Sequence, residues 1–99
     1  MLPSATLVQL KALEESLRAQ GVCGLYLFGS QARNDATAHS DIDLMFDIAP
    51  NVRFSLFDQA RIARQLEDIL QTKVDFVPRR SLHPLVKIRA EAEQVTVFG

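Results

Sequence analysis

Leu25-Tyr26-Leu27-Phe28-Gly29-Ser30-Gln31-Ala32-Arg33 and, after a polar interval, Ser40-Asp41-Ile42-Asp43-Leu44-Met45-Phe46 are the stretches around which this 99-residue chain is organised. An apolar run ending at Gly-Ser reads as a strand entering a tight turn, because glycine permits backbone geometries and close approaches that a side chain blocks. The second run, rich in Ile, Leu, Met and Phe, reads as a buried strand that opens on two aspartates. Side chains alternate faces along a strand, so Asp41 and Asp43 share one face while Ile42 and Leu44 point to the other. Two adjacent carboxylates resist ionising together without a counter-charge. A hard divalent cation supplies one, and Mg²⁺ prefers carboxylate oxygens together with substrate phosphates. A lone Asp-x-Asp also fits two solvated acids at a strand end.

Ser30 is placed to cap a short following helix, whose free N–H groups and positive dipole end suit a phosphate. Taken alone, Gly29-Ser30 equally fits an ordinary strand-to-helix turn. Asp75 lies between Val74 and Phe76 in a third short strand that Pro78 stops. Acids are depleted from strands and seldom buried without partners. Either Asp75 faces water on an edge strand, or its strand lies beside the one bearing Asp41 and Asp43 and three carboxylates converge.

The remaining residues read as scaffold. Ser4 caps a helix whose Leu7, Leu10, Leu13 and Leu17 recur at helical spacing until Gly21 stops it. Residues 22–28 and 41–48 form the first two strands, joined by the turn and an exposed polar loop over Asn34 to His39. Ser55-Leu56-Phe57-Asp58 resembles a capping box. It opens a long helix to about Thr72 with an apolar stripe of Phe57, Ala60, Ile62, Ala63, Leu66, Ile69 and Leu70. Pro84 opens a final helix through about Glu93, and Val95 to Phe98 is a last extended piece. Helix, strand, strand, helix, strand, helix predicts an α+β domain over residues 1–99: a small mixed sheet with helices packed on one face.

Composition sets bounds. Hydrophobic residues are 47% and charged residues 23%, as in ordinary globular proteins. A net charge of −1 supplies no global field to draw the chain onto nucleic acid or an acidic membrane. Cys23 is the single cysteine, which excludes an internal disulfide; a small buried thiol is its expected role. No signal peptide and no membrane-spanning run is visible, so a reducing cytoplasm is the expected compartment. Arg33 pairs either with a phosphate or with Asp35, and Ser40 binds a phosphate or caps the turn; the residues alone leave both open. Arg79 and Arg80 read as solvated loop charges, His39 and His83 as ordinary polar residues, and Tyr26 as core or a supporting residue.

Gly29-Ser30, ten intervening residues and Asp41-Ile42-Asp43 resemble the signature of the DNA polymerase β-type nucleotidyltransferase superfamily. The longer string Gly29-Ser30-x-Ala32-Arg33 … Ser40-Asp41-Ile42-Asp43-Leu44 is similar to its smallest members, the minimal nucleotidyltransferases, the MNT-type antitoxins paired with HEPN-family toxins. Asn34 departs from the glycine that commonly follows the arginine there, though Asn tolerates the same left-handed geometry. The resemblance covers nearly the whole chain. It implies two Mg²⁺ ions held by Asp41, Asp43 and Asp75, with Gly29, Ser30, Arg33 and Ser40 at the phosphates of ATP. It also implies AMP transfer to a tyrosine hydroxyl of a cognate HEPN ribonuclease toxin, with which the chain would form a hetero-oligomer. A chain this short leaves little surface to grip a primer or template, so no direct nucleic-acid binding is expected. Two other readings remain: a non-catalytic module that neutralises its toxin by contact, and a metal phosphohydrolase, which leaves the Gly-Ser spacing unexplained.

Overall fold

The computed structural model describes residues 4–29 and 42–99. β1 (Val22–Phe28) and β2 (Ile42–Ile48) pair antiparallel, with Leu25 opposite Phe46, Leu27 opposite Leu44 and Phe28 opposite Asp43. β3 (Val74–Pro78) runs parallel to β2, with Asp75 the register partner of Asp43 and Phe76 of Leu44. β4 (Val95–Phe98) pairs antiparallel with the free side of β1. The order β3-β2-β1-β4 is the mixed sheet that the sequence predicts. A parallel pair cannot be closed by a tight turn; here the crossover is α3 (Leu56–Leu70).

Alternation sorts the strands into two faces. Leu25, Leu27, Ile42, Leu44, Phe46, Val74 and Phe76 pack with Leu10, Leu17, Ile62 and Leu66 of the helices into one apolar core. Phe46, 1% exposed, stacks on Phe76 with ring centroids 4.1 Å apart and meets Phe54 at 5.3 Å. The opposite face takes the intervening positions: Tyr26 and Phe28 on β1, Asp43, Met45 and Asp47 on β2, Asp75 on β3.

The first helix differs from the expectation. Instead of one helix to Gly21 there are two, α1 (Ser4–Lys11) and α2 (Glu14–Ala19). At the break, the Leu13 N–H donates to Leu10 O at 3.0 Å, a tightened i−3 bond, and Leu13 sits at φ −95°, ψ 0°. The bend sends α1 onto β4 and α3 and turns α2 onto β1, so that Leu10 and Leu17 are both buried. Gly21 does end the segment, at φ +100°.

α3 begins as read. Ser55 Oγ accepts from the Asp58 N–H at 3.2 Å, and Asp58 Oδ2 accepts from the Ser55 N–H at 2.9 Å. Ser55→Ala is expected to cost about 1 kcal/mol in urea unfolding. The Ser55 N–H, then the Ser55 hydroxyl, hold the Asp58 carboxyl below the usual carboxylate range. A depressed folded pKa means stability fully present above the unfolded value and lost as pH falls through the folded one, so this cap weakens only in acid. Further along, Ile62 and Leu66 are buried, whereas Phe57 is 86% exposed and Ile69 lies partly in solvent. Phe57 precedes Ile62 by five residues, about 140° off the buried stripe at 3.6 residues per turn.

A 3₁₀ turn (Arg79–Ser81) leads into α4 (Pro84–Glu93), which places its Ala90 in the interior. Val86, Arg89, Ala90 and Glu93 of α4 line a cleft together with Phe28 and Gly29, which sets this helix beside the end of β1 that adjoins Asp43. Among the described residues no helix is long and apolar enough to cross a membrane.

Candidate active site

Asp43 and Asp75 are brought together by the parallel register of β2 and β3. Neighbouring strands lie about 4.8 Å apart and register partners present side chains to the same face, so the carboxylates stand side by side. Asp43 is half-buried and Asp75 is exposed. The pair sits where β2 and β3 begin and β1 ends, because Phe28, the last residue of β1, is opposite Asp43.

Gly29 follows at once, at φ +72°, where side chains are strained. A Cβ there would collide with Asp43 Oδ2 and stand 3.1 Å from its Cγ. The turn thus lays its bare backbone against one carboxylate. Gly29→Ala is expected to cost about 1–2 kcal/mol from the left-handed backbone. Its larger effect is on function: the Asp43 carboxylate is the flexible partner and must swing away. With Asp43 expected as a metal ligand, such a displacement is expected to lower activity about 10²-fold, and a melting curve measured beside an activity assay separates the two effects.

Ser30, Arg33, Ser40 and Asp41 lie outside the described residues. Among the described residues no three His, Cys, Asp or Glu side chains group as metal ligands. The two that meet are hard oxygen donors beside a turn without a side chain, a donor set that fits Mg²⁺ and a phosphate oxygen.

A second polar cluster occupies the far end of the same face. Arg79 Nε donates to Asp47 Oδ1 at 3.0 Å, its Nη2 donates to Asp47 Oδ2, and its Nη1 lies 3.5 Å from Glu91 Oε2 on α4. The guanidinium also covers the Tyr26 ring, 4.9 Å from its centroid, and the Tyr26 hydroxyl donates to Asp47 Oδ2 at 3.2 Å. Burial, then the Asp47 carboxylate, push the Tyr26 hydroxyl up, which keeps it a donor. Arg79 is therefore not the solvated loop charge that its position after a strand suggests. Its partners stand 32 and 12 residues away in sequence, and no local pattern announces them. Cys23, expected to be buried, is only half-buried, beside the register shift between Val22 and Gly24.

The family model described as "Nucleotidyltransferase domain" matches residues 10–97. A Methanocaldococcus jannaschii protein named "putative protein adenylyltransferase" is 38% identical over 82 residues, covering 83% of this chain and 86% of its own. Among solved structures, one described as a "putative minimal nucleotidyltransferase" superposes with a TM-score of 0.81 at 28% identity, over 96% of this chain and 95% of that one. A chain from a complex of tri-AMPylated Shewanella oneidensis HEPN toxin with MNT antitoxin superposes with a TM-score of 0.70 at 20% identity, over 95% and 72% of the two chains. That last likeness is one of fold.

Proposed function

Because the chain belongs to the nucleotidyltransferase domain family, we propose that it transfers AMP from ATP to a tyrosine hydroxyl of a HEPN-family toxin and so silences it. The observation that carries this reading is the register pairing of Asp43 with Asp75 beside the left-handed Gly29. Support for a protein acceptor comes from the adenylyltransferase relative and from the apolar side chains that α4 shows to solvent, Leu85 at 72% and Ile88 at 66% exposure. A protein partner covering them would remove that surface from water. The reaction consumes ATP, which suits a cytoplasmic chain.

Asp41, Asp43 and Asp75 would hold Mg²⁺. The ion, when bound, neutralises phosphate charge and lowers the pKa of the acceptor hydroxyl. Gly29 and Ser30 would hold the β- and γ-phosphates through backbone N–H groups and the Ser30 hydroxyl, and Arg33 and Ser40 would add phosphate contacts. Asp75, the exposed carboxylate, is open to an acceptor hydroxyl and would take its proton. The acceptor oxygen then bonds to the α-phosphorus as the bond to the β-phosphate oxygen breaks and pyrophosphate leaves. Placement in line supplies most of the acceleration.

Incubation of the chain with labelled ATP, MgCl₂ and a cognate HEPN toxin tests this. Label is expected on a toxin tyrosine and is lost with Asp41→Ala/Asp43→Ala. Full neutralisation by that double variant, with no label on the toxin, would instead make the chain an antitoxin that acts by contact alone.

A further inference from the structure

We propose that Arg89 is a phosphate-binding residue of the nucleotide site, reaching the triphosphate from the last helix. The inference rests on the nucleotidyltransferase reading above and adds to the motif a residue that the motif does not contain. Arg89, Phe28, Gly29, Val86, Ala90 and Glu93 line a cleft of about 140 Å³. That volume accepts several waters or one phosphate group, and not a whole nucleotide.

Gly29 lines the cleft, and it is also the residue whose Cβ position is taken up by the Asp43 carboxylate. A phosphate held at the Gly29 backbone is therefore next to the cleft that Arg89 lines. The guanidinium suits it: a planar fork with five donors matches phosphate oxygens two at a time.

Arg89 is also available. Arg18 is engaged by Glu14, Arg61 by Asp58, and Arg79 by Asp47 and Glu91. Arg89 makes no hydrogen bond or ion pair among the described residues. Among the described residues Glu93 lines the same cleft and Asp43 adjoins Gly29, so a cation at Arg89 offsets part of the repulsion that a phosphate meets there. The helix carrying Arg89 is held in place by the two residues that follow it. Ala90 is buried, and Glu91 is tied to Arg79. Only the long side chain has to adjust.

The test is nucleotide affinity by calorimetry, with ATP and AMP each in the presence of MgCl₂, for the unaltered chain, Arg89→Ala and Arg89→Lys. The exposed position makes folding of both variants a fair expectation, checked by melting temperature. Arg89→Ala is expected to weaken ATP about tenfold or more, as for loss of charged hydrogen bonds. AMP binding should change little, and Arg89→Lys should recover part of the loss. ATP binding by Arg89→Ala as tight as the unaltered chain's would overturn the inference and leave the proposed reaction standing. Weakened toxin binding with ATP affinity intact would overturn it too, and would move Arg89 to the acceptor side. Failure of the unaltered chain to bind ATP at all would remove both.

Discussion

Asp75→Asn is expected to lower AMP transfer about 10²- to 10³-fold while the folded state is retained or becomes slightly more stable. Asp75 is exposed, and among the described residues it makes no hydrogen bond or ion pair. Its register partner is another carboxylate, and like charges placed opposite each other across strands destabilise. Removing one charge while keeping shape relieves that repulsion, a gain of about 0–1 kcal/mol in metal-free buffer. A side chain kept for structure would show the reverse. Two measurements decide: label transfer to the toxin, and the melting temperature without Mg²⁺. Activity and stability falling together would make Asp75 a scaffold residue and leave Asp43 without its partner in catalysis.

Phe46→Ala is expected to destabilise the chain by about 3–5 kcal/mol. The whole stability of a domain this size is about 5–15 kcal/mol, so the variant should lose a large share of it and unfold at a much lower urea concentration than the unaltered chain. The ring is 1% exposed and sandwiched between Phe76 of β3 and Phe54 of the loop beyond β2. Truncation leaves a cavity at the contact that holds β2 and β3 in register, the same register that aligns Asp43 with Asp75. Phe46→Leu, which keeps much of the volume, should lose a fraction of this. Urea midpoints for the two variants check the order, and equal midpoints for Phe46→Ala and the unaltered chain would contradict it.

How far the chain can be read before it is seen folded depends on how local each cause is. β1 follows the expectation at both ends, because Gly21 and Gly29 mark it with positive φ values that few residues adopt. Ser55 and Asp58 declare the start of α3 within four residues. The sequence leaves Asp75 either facing water on an edge strand or beside the strand of Asp41 and Asp43; it is exposed on the edge strand β3 and is also the register partner of Asp43, since alternation fixes the face of each acid but not which strands are neighbours. The break at Ala12–Leu13 was not legible, as every residue around it suits a helix. It arises from the different strands that α1 and α2 must reach. Phe57 is exposed because its angular position on α3, and not its apolarity, decides its burial. Arg79 and Arg89 follow ordinary sequence patterns for surface arginines. Their surroundings are set by contacts between elements far apart in the chain.

The strand order β3-β2-β1-β4 also governs when this molecule can begin to work. Of the strands, β1 and β2 emerge first during synthesis, yet Asp75 joins Asp43 only once α3 has folded across and β3 has docked. β1, which aims Gly29, keeps an unpaired edge until Val95–Phe98 have left the ribosome. Translation arrested before β4 therefore yields a fragment whose β1 edge is open to pairing with another chain.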